Sequence, residues 1–156
     1  RVLFRSKVGI NVINGDSMRE RVFPSALHGF LDTIREGQPG TPILVISPIF
    51  CPSAEDQPGP TLPDGTGKFR TYPGQDELRV GCMSLKRARQ LIEDVINARV
   101  NAGDGNLHYL SGLQLFGAGD AGDLPDDLHP TPTGYKRMGE RFVQTALNEL
   151  GLMPVK

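Results

Sequence analysis

Apolar residues recur along this chain in short continuous runs that alternate with longer helical stripes. The short runs predict buried strands over residues 7–13, 43–47 and 106–110, and the second run is rich in Ile and Val. Such runs are typical of strands that are covered on both faces of a parallel sheet. The pattern therefore predicts a sheet whose strands are separated by helices.

Three stretches carry apolar residues at helical spacing. The members of these stripes are Val22, Ala26, Leu27, Phe30, Leu31 and Ile34, then Leu85, Ala88, Leu91, Ile92, Val95 and Ile96, and finally Tyr135, Met138, Phe142, Val143, Ala146, Leu147 and Leu150. Ser84 is a suitable N-cap for the second helix, and Thr131 with Pro132 suits the start of the third. Three strand–helix repeats predict a parallel, three-layer α/β domain over residues 7–156.

Residues 49–82 interrupt this rhythm with a long, proline-rich stretch. Loops of this length are usually functional or disordered, so the stretch is predicted to be either a lid or pocket wall, or a mobile surface loop. Phe50, Phe69 and Tyr72 are the aromatic residues available to a pocket wall. Cys51 and Cys82 flank the loop, and the sequence is compatible with a disulfide that closes it or with two unpaired, partly buried thiols.

Composition excludes several classes of partner. The net charge is −1 and the pI is about 6.3, so the chain shows no footprint for nucleic acid or for an anionic membrane. No apolar run reaches transmembrane length, and no Cys or His spacing predicts a zinc site. His28 and His108 are predicted to be packing or surface residues. The sequence assigns no compartment.

The segment 126–130 carries the clearest chemistry. Asp126 lies three residues before His129 on one short loop, so its carboxylate can turn back and accept a hydrogen bond from the imidazole. This contact fixes the tautomer and leaves the other ring nitrogen free to act as a general base. Asp127, two residues before His129, is poorly placed to fold back. The alternative is a solvated acidic loop in which the histidine has only a structural role.

Two blocks of the sequence resemble those of a known family. The block from Asp126 to Pro130, followed by Gly134-Tyr135 at a helix start, resembles the final motif of the SGNH hydrolases, also called GDSL esterases and lipases. The block Gly9-Ile10-Asn11 is similar to that family's Gly-x-Asn motif, and the strand at residues 41–48 is a weaker match. The landmarks occur in family order.

The resemblance implies a flavodoxin-like SGNH hydrolase fold and hydrolysis of a small-molecule or lipid ester through a Ser-His-Asp triad. His129 would be the base, Asp126 its orienting partner and Asn11 an oxyanion-hole donor, with no metal or organic cofactor. Parallel α/β sheets place their sites beyond the carboxyl ends of the strands, where both Asn11 and the 126–129 loop are expected. The alternatives are a catalytically inert α/β fragment or a flavodoxin-like binding module, although no glycine-rich phosphate loop is evident.

One departure from the family concerns the nucleophile. The family's Gly-Asp-Ser block precedes its Gly-x-Asn block, so the resemblance implies a C-terminal portion whose N-terminal strands and serine lie upstream of residue 1. Gly15-Asp16-Ser17 follows Asn11 instead. Ser17 and Glu20 also have capping-box spacing, which favours a helix cap over a nucleophile.

Residues 1–6 are predicted to be non-native, because Arg1–Ser6 is what a sequencing-adapter end read in frame would encode. The alternative is a native strand start. Without a preceding strand, the predicted strand 7–13 would leave Val8, Ile10 and Val12 on an open apolar edge. Such edges recruit other chains, so the sequence predicts aggregation or an edge-paired self-association.

Overall fold

The chain folds around a small parallel sheet. The computed structural model describes residues 4–152, and its central sheet contains strands β1 (Phe4–Lys7), β2 (Ile43–Ile46) and β5 (Leu107–Leu110) in the order β1-β2-β5. All pairs are parallel, with Phe4 opposite Ile43 and Ile43 opposite Leu107. The predicted second and third strands are confirmed to within one residue at each end.

Helices cover both faces of this sheet. Their bounds are α1 (Ile10–Asn14), α2 (Phe23–Gly37), α3 (Leu85–Asn101), α4 (Gly112–Leu115) and α5 (Pro132–Phe142), with a 3-10 helix at Ala118–Asp123 and a π-helical turn at Val143–Glu149. Successive strand side chains point to opposite faces. Ile43 and Val45 accordingly pack with α1, α2 and α3, whereas Leu44 and Ile46 pack with α4, α5 and the π-helical turn. The predicted parallel, three-layer α/β arrangement is confirmed.

The first strand was placed wrongly by the apolar pattern. Strand β1 ends at Lys7, and residues 10–13 of the predicted strand belong to helix α1. The chain turns between the two elements at Gly9, whose φ is 104°. Pairing with β2 continues one residue past the strand, because the Val8 N–H donates to the Ile46 carbonyl at 3.0 Å. A short apolar segment fits a short helix as well as a strand, and only packing decides between them.

Residues 4–6, which were predicted to be non-native, take part in the sheet as the first part of β1. Parallel pairing uses backbone groups, so a strand can extend through residues of any origin. Whether residues 1–6 are native stays a prediction, and residues 1–3 lie outside the described part of the chain. Val8, Ile10 and Val12 are half-buried and pack on the core, so the predicted open apolar edge formed by these residues is wrong.

The capping box predicted at Ser17 and Glu20 does not form. Helix α2 begins at Phe23, and its N-cap, Val22, has no side-chain cap. The Ser17 hydroxyl donates to the Val12 carbonyl at 3.4 Å. The Glu20 N–H donates to the Gly81 carbonyl and its carboxylate pairs with Arg87. Tertiary partners therefore replace the local contacts that the spacing predicted.

The other two predicted caps are confirmed. The Ser84 hydroxyl accepts from the Arg87 N–H at 3.2 Å, and the Thr131 hydroxyl accepts from the Gly134 N–H at 3.1 Å. Pro132 occupies the first turn of α5, where its missing N–H costs no hydrogen bond. These caps fix the start of α5 directly after the 126–130 loop.

The stretch 49–82 is partly structured. It contains an antiparallel hairpin of β3 (Thr61–Pro63) and β4 (Phe69–Thr71), followed by a 3-10 turn at Asp76–Leu78. The hydroxyls of Thr61 and Thr71 lie 2.9 Å apart across the hairpin. Cys51 and Cys82 are both free thiols, so the disulfide alternative is wrong.

The carboxyl ends of β2 and β5 make a close contact. The hydroxyl of Ser47, fully buried after β2, accepts from the Gly112 N–H at 3.0 Å and from the Tyr109 hydroxyl at 3.1 Å. A Cβ on Gly112 would lie 2.3 Å from the Ser47 carbonyl oxygen, so only glycine allows this approach.

Across residues 4–152, no helix is long and apolar enough to cross a membrane.

Candidate active site

Asp126 divides its two carboxylate oxygens between the backbone and the imidazole. Oδ1 accepts from the N–H groups of Leu128 and His129 at 3.0 and 2.7 Å, which closes a tight turn. Oδ2 lies 2.7 Å from Nδ1 of His129. The three-residue spacing thus lets one side chain both shape the loop and hold the ring.

The charge on Asp126 sets the tautomer of His129. Burial opposes ionisation and is the strongest single influence on Asp126. The hydrogen bonds from the His129 backbone and ring and from the Leu128 N–H together outweigh it, so the pKa of Asp126 lies below its ordinary value. An ionised Asp126 can only accept, so Nδ1 of His129 must carry the proton. Nε2 of the neutral ring is then an acceptor, as a general base requires.

An ion-pair network anchors the chain before this loop. Arg141 and Arg137 of α5 both bind Asp120, and Arg137 also lies 2.6 Å from Asp123. The Arg141 hydrogen bond, the strongest influence on Asp120, helps to lower the pKa of that buried carboxyl to about 2. The Asp123 carbonyl accepts from the Thr131 N–H at 2.8 Å. The loop that carries His129 is therefore tied to α5 at both ends.

Asp127 faces away from the imidazole. Its carboxylate lies 3.0 Å from the Lys68 ammonium, and its φ of 64° is in the left-handed region. Its carbonyl accepts from the Cys51 thiol at 3.2 Å. Of the acidic residues that precede His129 on this stretch, only Asp126 contacts the ring in the described structure.

Asn11 and His129 line the same cleft. The cleft has a volume of about 290 Å³ and lies beyond the carboxyl ends of β1 and β2, where the sequence analysis expected a site. Its lining residues are Lys7, Ile10, Asn11, Asn14, Ile49, Cys51, Leu128, His129, Pro130 and Tyr135. The two blocks that resemble one family are thus brought together from opposite ends of the chain.

Gly9 explains how Asn11 reaches the cleft. A Cβ at Gly9 would meet Pro48 Cγ at 3.0 Å, and its φ of 104° is one that other residues rarely adopt. Gly9 therefore lets β1 turn directly into α1, with Asn11 in the first helical turn. The Asn11 side chain is exposed and makes no hydrogen bond to another residue of the described part of the chain.

The polar side chains of Asn14 and Lys7 also line the cleft, and neither was predicted as a site residue. Asn14 lies three residues after Asn11 on α1, and its side-chain oxygen is buried without a partner in the described structure. Lys7 ends β1, and burial of its ammonium lowers its pKa although much of the side chain is exposed. The helical spacing from Asn11 could have revealed Asn14, but only if residues 10–14 had been predicted as a helix.

The described residues supply no activated nucleophile beside His129. No serine hydroxyl within residues 4–152 hydrogen-bonds its ring, and Ser17 does not line the cleft. Cys51 does line the cleft, but burial raises the pKa of its thiol, which lowers the thiolate fraction.

The other two histidines lie elsewhere. His28 lines a surface cavity with Arg99 and Asp104. His108 lies in β5, where burial and then the charge of Arg35 lower its pKa. Among the described residues, no group of three or more His, Cys, Asp or Glu side chains is arranged to hold a metal ion.

Two solved structures share this fold. The salicylyl-acyltransferase SsfX3 from a tetracycline biosynthetic pathway matches 99% of the chain with a TM-score of 0.75 and 26% identity. A protein from Bacteroides ovatus ATCC 8483 described as a GDSL-like lipase matches 88% with a TM-score of 0.56 and 19% identity. The chain spans 39% and 34% of their respective lengths. No family model and no curated protein matches the sequence. The chain thus has the α/β fold of an acyltransferase and a GDSL-like lipase.

Proposed function

We propose that the parent protein is a serine-dependent acyl-transfer enzyme that cleaves a carboxylic ester, with His129 as general base and Asp126 as its orienting partner. The observation that carries this proposal is the 2.7 Å contact between Asp126 and His129 in a cleft that Asn11 also lines. A carboxylate, an imidazole and an amide donor are three parts of an acyl-transfer site. The remaining part, the serine, is proposed to lie upstream of residue 1.

The proposed reaction uses each group at a defined atom. The serine hydroxyl attacks the ester carbonyl while Nε2 of His129 takes its proton. The resulting imidazolium then protonates the leaving alkoxide, and the negative charge of Asp126 stabilises the imidazolium in between. The Asn11 amide donates to the tetrahedral oxyanion, a contribution of roughly 3 kcal/mol for one such donor. The acceptor finally attacks the acyl-enzyme while His129 takes its proton, and the imidazolium returns a proton to the serine oxygen as the acyl–serine bond breaks.

The acceptor decides between two reactions of the same site. Water as the acceptor gives ester hydrolysis, which the resemblance to esterases and lipases favours. An alcohol or amine gives acyl transfer, which the likeness to a salicylyl-acyltransferase favours. Product analysis with and without an added alcohol acceptor distinguishes the two outcomes.

The test uses the protein expressed from its native gene, including the sequence upstream of Lys7. We expect His129→Ala and Asp126→Asn each to reduce kcat/KM for a short p-nitrophenyl ester by orders of magnitude. Asp127→Asn is the matched control, because Asp127 contacts Lys68 instead of the ring and Asn tolerates the left-handed backbone. Its loss should be a small fraction of that of Asp126→Asn.

Equal losses at the two aspartates would contradict the role assigned to Asp126. Full activity in His129→Ala would contradict the role assigned to His129. No ester turnover by the wild-type protein would instead remove the acyl-transfer proposal and favour a binding module. In the chain as given, ester turnover that disappears in Ser17→Ala would show that the nucleophile had been misplaced.

A further inference from the structure

The β3–β4 hairpin lies directly against the His129 loop. The Phe69 N–H donates to the Asp126 carbonyl at 2.9 Å. The Phe69 ring packs edge to face on the imidazole of His129, with 5.4 Å between ring centroids and 80° between ring planes. The neighbouring Lys68 pairs with Asp127. A segment more than fifty residues away in sequence thus contacts the loop through a ring, a backbone group and a charge.

The hairpin is held in shape by contacts of its own. Asp64 accepts from the N–H of Thr66 at 2.8 Å and from Arg70 at 2.8 Å, which ties the turn to strand β4. Hydrogen bonds led by that from the Thr66 hydroxyl keep the pKa of Asp64 well below its usual range. The Thr71 hydroxyl also donates to Ser53 at 3.3 Å, outside the hairpin. Phe69 therefore projects from an ordered support.

His129 needs a second contact to keep one ring orientation. Its side chain is 61% exposed, and Asp126 is the only hydrogen-bond partner of its ring within the described structure. One hydrogen bond leaves the ring free to rotate away, because water competes for Nδ1. An aromatic ring packed in this T-shaped arrangement restricts that rotation, and it carries no hydrogen-bonding group that could replace Asp126 at Nδ1.

We propose that Phe69 is a positioning residue for His129, which keeps Nδ1 on Asp126 and so leaves Nε2 free for proton transfer. The catalytic meaning of this contact rests on the proposed function, but the contact itself does not. The hairpin of the 49–82 stretch then holds the imidazole of His129 in place, in addition to any role as a wall of the substrate pocket. Phe69 itself takes no part in bond making.

The first test is NMR on the wild-type chain, which has three histidines and needs no ester turnover. We expect nuclear Overhauser contacts between the Phe69 and His129 rings, with the imidazole signals identified by their loss in His129→Ala. Long-range ¹H–¹⁵N spectra should show His129 chiefly as the Nδ1–H tautomer at a pH where the ring is neutral. Absence of the ring contacts would overturn the proposal, whatever the outcome of any activity assay.

The second test compares variants by the same spectra. Phe69→Leu should shift the tautomer ratio of His129 toward Nε2–H by roughly threefold to tenfold, the range expected for one aromatic pair. Phe69→Tyr keeps the ring and should restore the wild-type ratio. Tyr72→Leu, at an exposed aromatic residue of the same stretch, is the matched control and should leave the ratio unchanged.

An unchanged tautomer ratio in folded Phe69→Leu would show that the ring has no positioning role. An equal change in Tyr72→Leu would show a general loosening of the stretch and would equally overturn the proposal. If Phe69→Leu fails to fold, the wild-type ring contacts and the Phe69→Tyr ratio decide. Because none of these measurements needs a serine, failure here and failure of the proposed acyl transfer are separate results.

Discussion

Asp120 joins both arginines of α5 to the turn that precedes the His129 loop. It is 8% exposed and contacts Arg137 and Arg141, and its Oδ2 also accepts from the Gly117 N–H at 2.9 Å. Removing one partner would leave a buried charge with incomplete compensation, which is costly. The network therefore stabilises the candidate site only while Asp120 is ionised.

The ionisation of Asp120 makes the stability of the fold depend on pH. The pKa of Asp120 is about 2 in the folded chain against an ordinary value of 3.8, so its ionised form stabilises the fold above the ordinary value. That contribution is lost as the pH falls from 3.8 toward 2. We expect Arg141→Gln to be less stable than the wild type near neutral pH and to lose less further stability on acidification.

Urea unfolding at about pH 6 and at about pH 2.5 measures both quantities. Lys136→Gln is the control, because the pair of Lys136 with Glu140 on the same helix is exposed to solvent. Its pH dependence should match that of the wild type. An acid sensitivity in Arg141→Gln equal to that of the wild type would contradict the assigned role of Asp120.

The residue scale also shows which site contacts a sequence can predict. The Asp126–His129 pair spans three residues, so its geometry follows from local chain reversal and could be expected from spacing alone. Lys7 and Phe69 reach the site through tertiary packing, which cannot be read from the one-dimensional pattern. Asn14 was missed because residues 10–13 were predicted as a strand and not as a helix. The roles of Asn11, Asp126 and His129 in catalysis stay predictions.

At the scale of elements, the junction between β1 and α1 determines where Asn11 lies. The apolar pattern predicted one strand because a short apolar run does not distinguish a strand from a helical turn. The longer helices α2 and α3 were predictable because their stripes repeat over several turns. The junction instead depends on Gly9, whose backbone and close contact with Pro48 become visible only in the packed structure.

We expect Gly9→Ala to lower the free energy of unfolding by about 1–3 kcal/mol, through backbone strain at a positive φ and contact with Pro48. Gly29→Ala is the matched control within α2, where a Cβ would meet no atom within 4 Å. This change should instead raise stability by roughly 0.5–1 kcal/mol, because alanine is the better helix former. Thermal or urea unfolding measures both, and a harmless Gly9→Ala would show that the turn tolerates a side chain.

At the scale of the whole molecule, β1 is an edge strand that pairs only with β2 in the described structure. Its sequence FRSK carries two cations, unlike the apolar edge that the sequence analysis expected. Positive charges on an edge oppose strand addition, because two copies would bring like charges together. Edge-paired self-association stays a prediction, but it would depend on backbone pairing along a charged strand and not on an apolar edge.

We expect any such self-association to be weak at low ionic strength and to increase with salt, which screens Arg5 and Lys7. Size-exclusion chromatography with light scattering across a salt series measures this. Lys7→Thr should associate more strongly than the wild type at low salt. Lys136→Thr is the control, because Lys136 lies on the exposed face of α5, and it should associate no more strongly than the wild type. Association that falls with salt would point to an ionic interface elsewhere.

The contact that Ser47 makes with Gly112 and Tyr109 has a consequence for motion. The buried Ser47 hydroxyl accepts two hydrogen bonds where the backbone of Gly112 approaches closely. This contact resists local opening, because separating the two strand ends would break both hydrogen bonds at once. The ends of β2 and β5 are thus expected to move as one unit. Local opening that admits a molecule to the cleft is then expected on the opposite side of the cleft, where β1 turns into α1 and the hairpin meets the His129 loop.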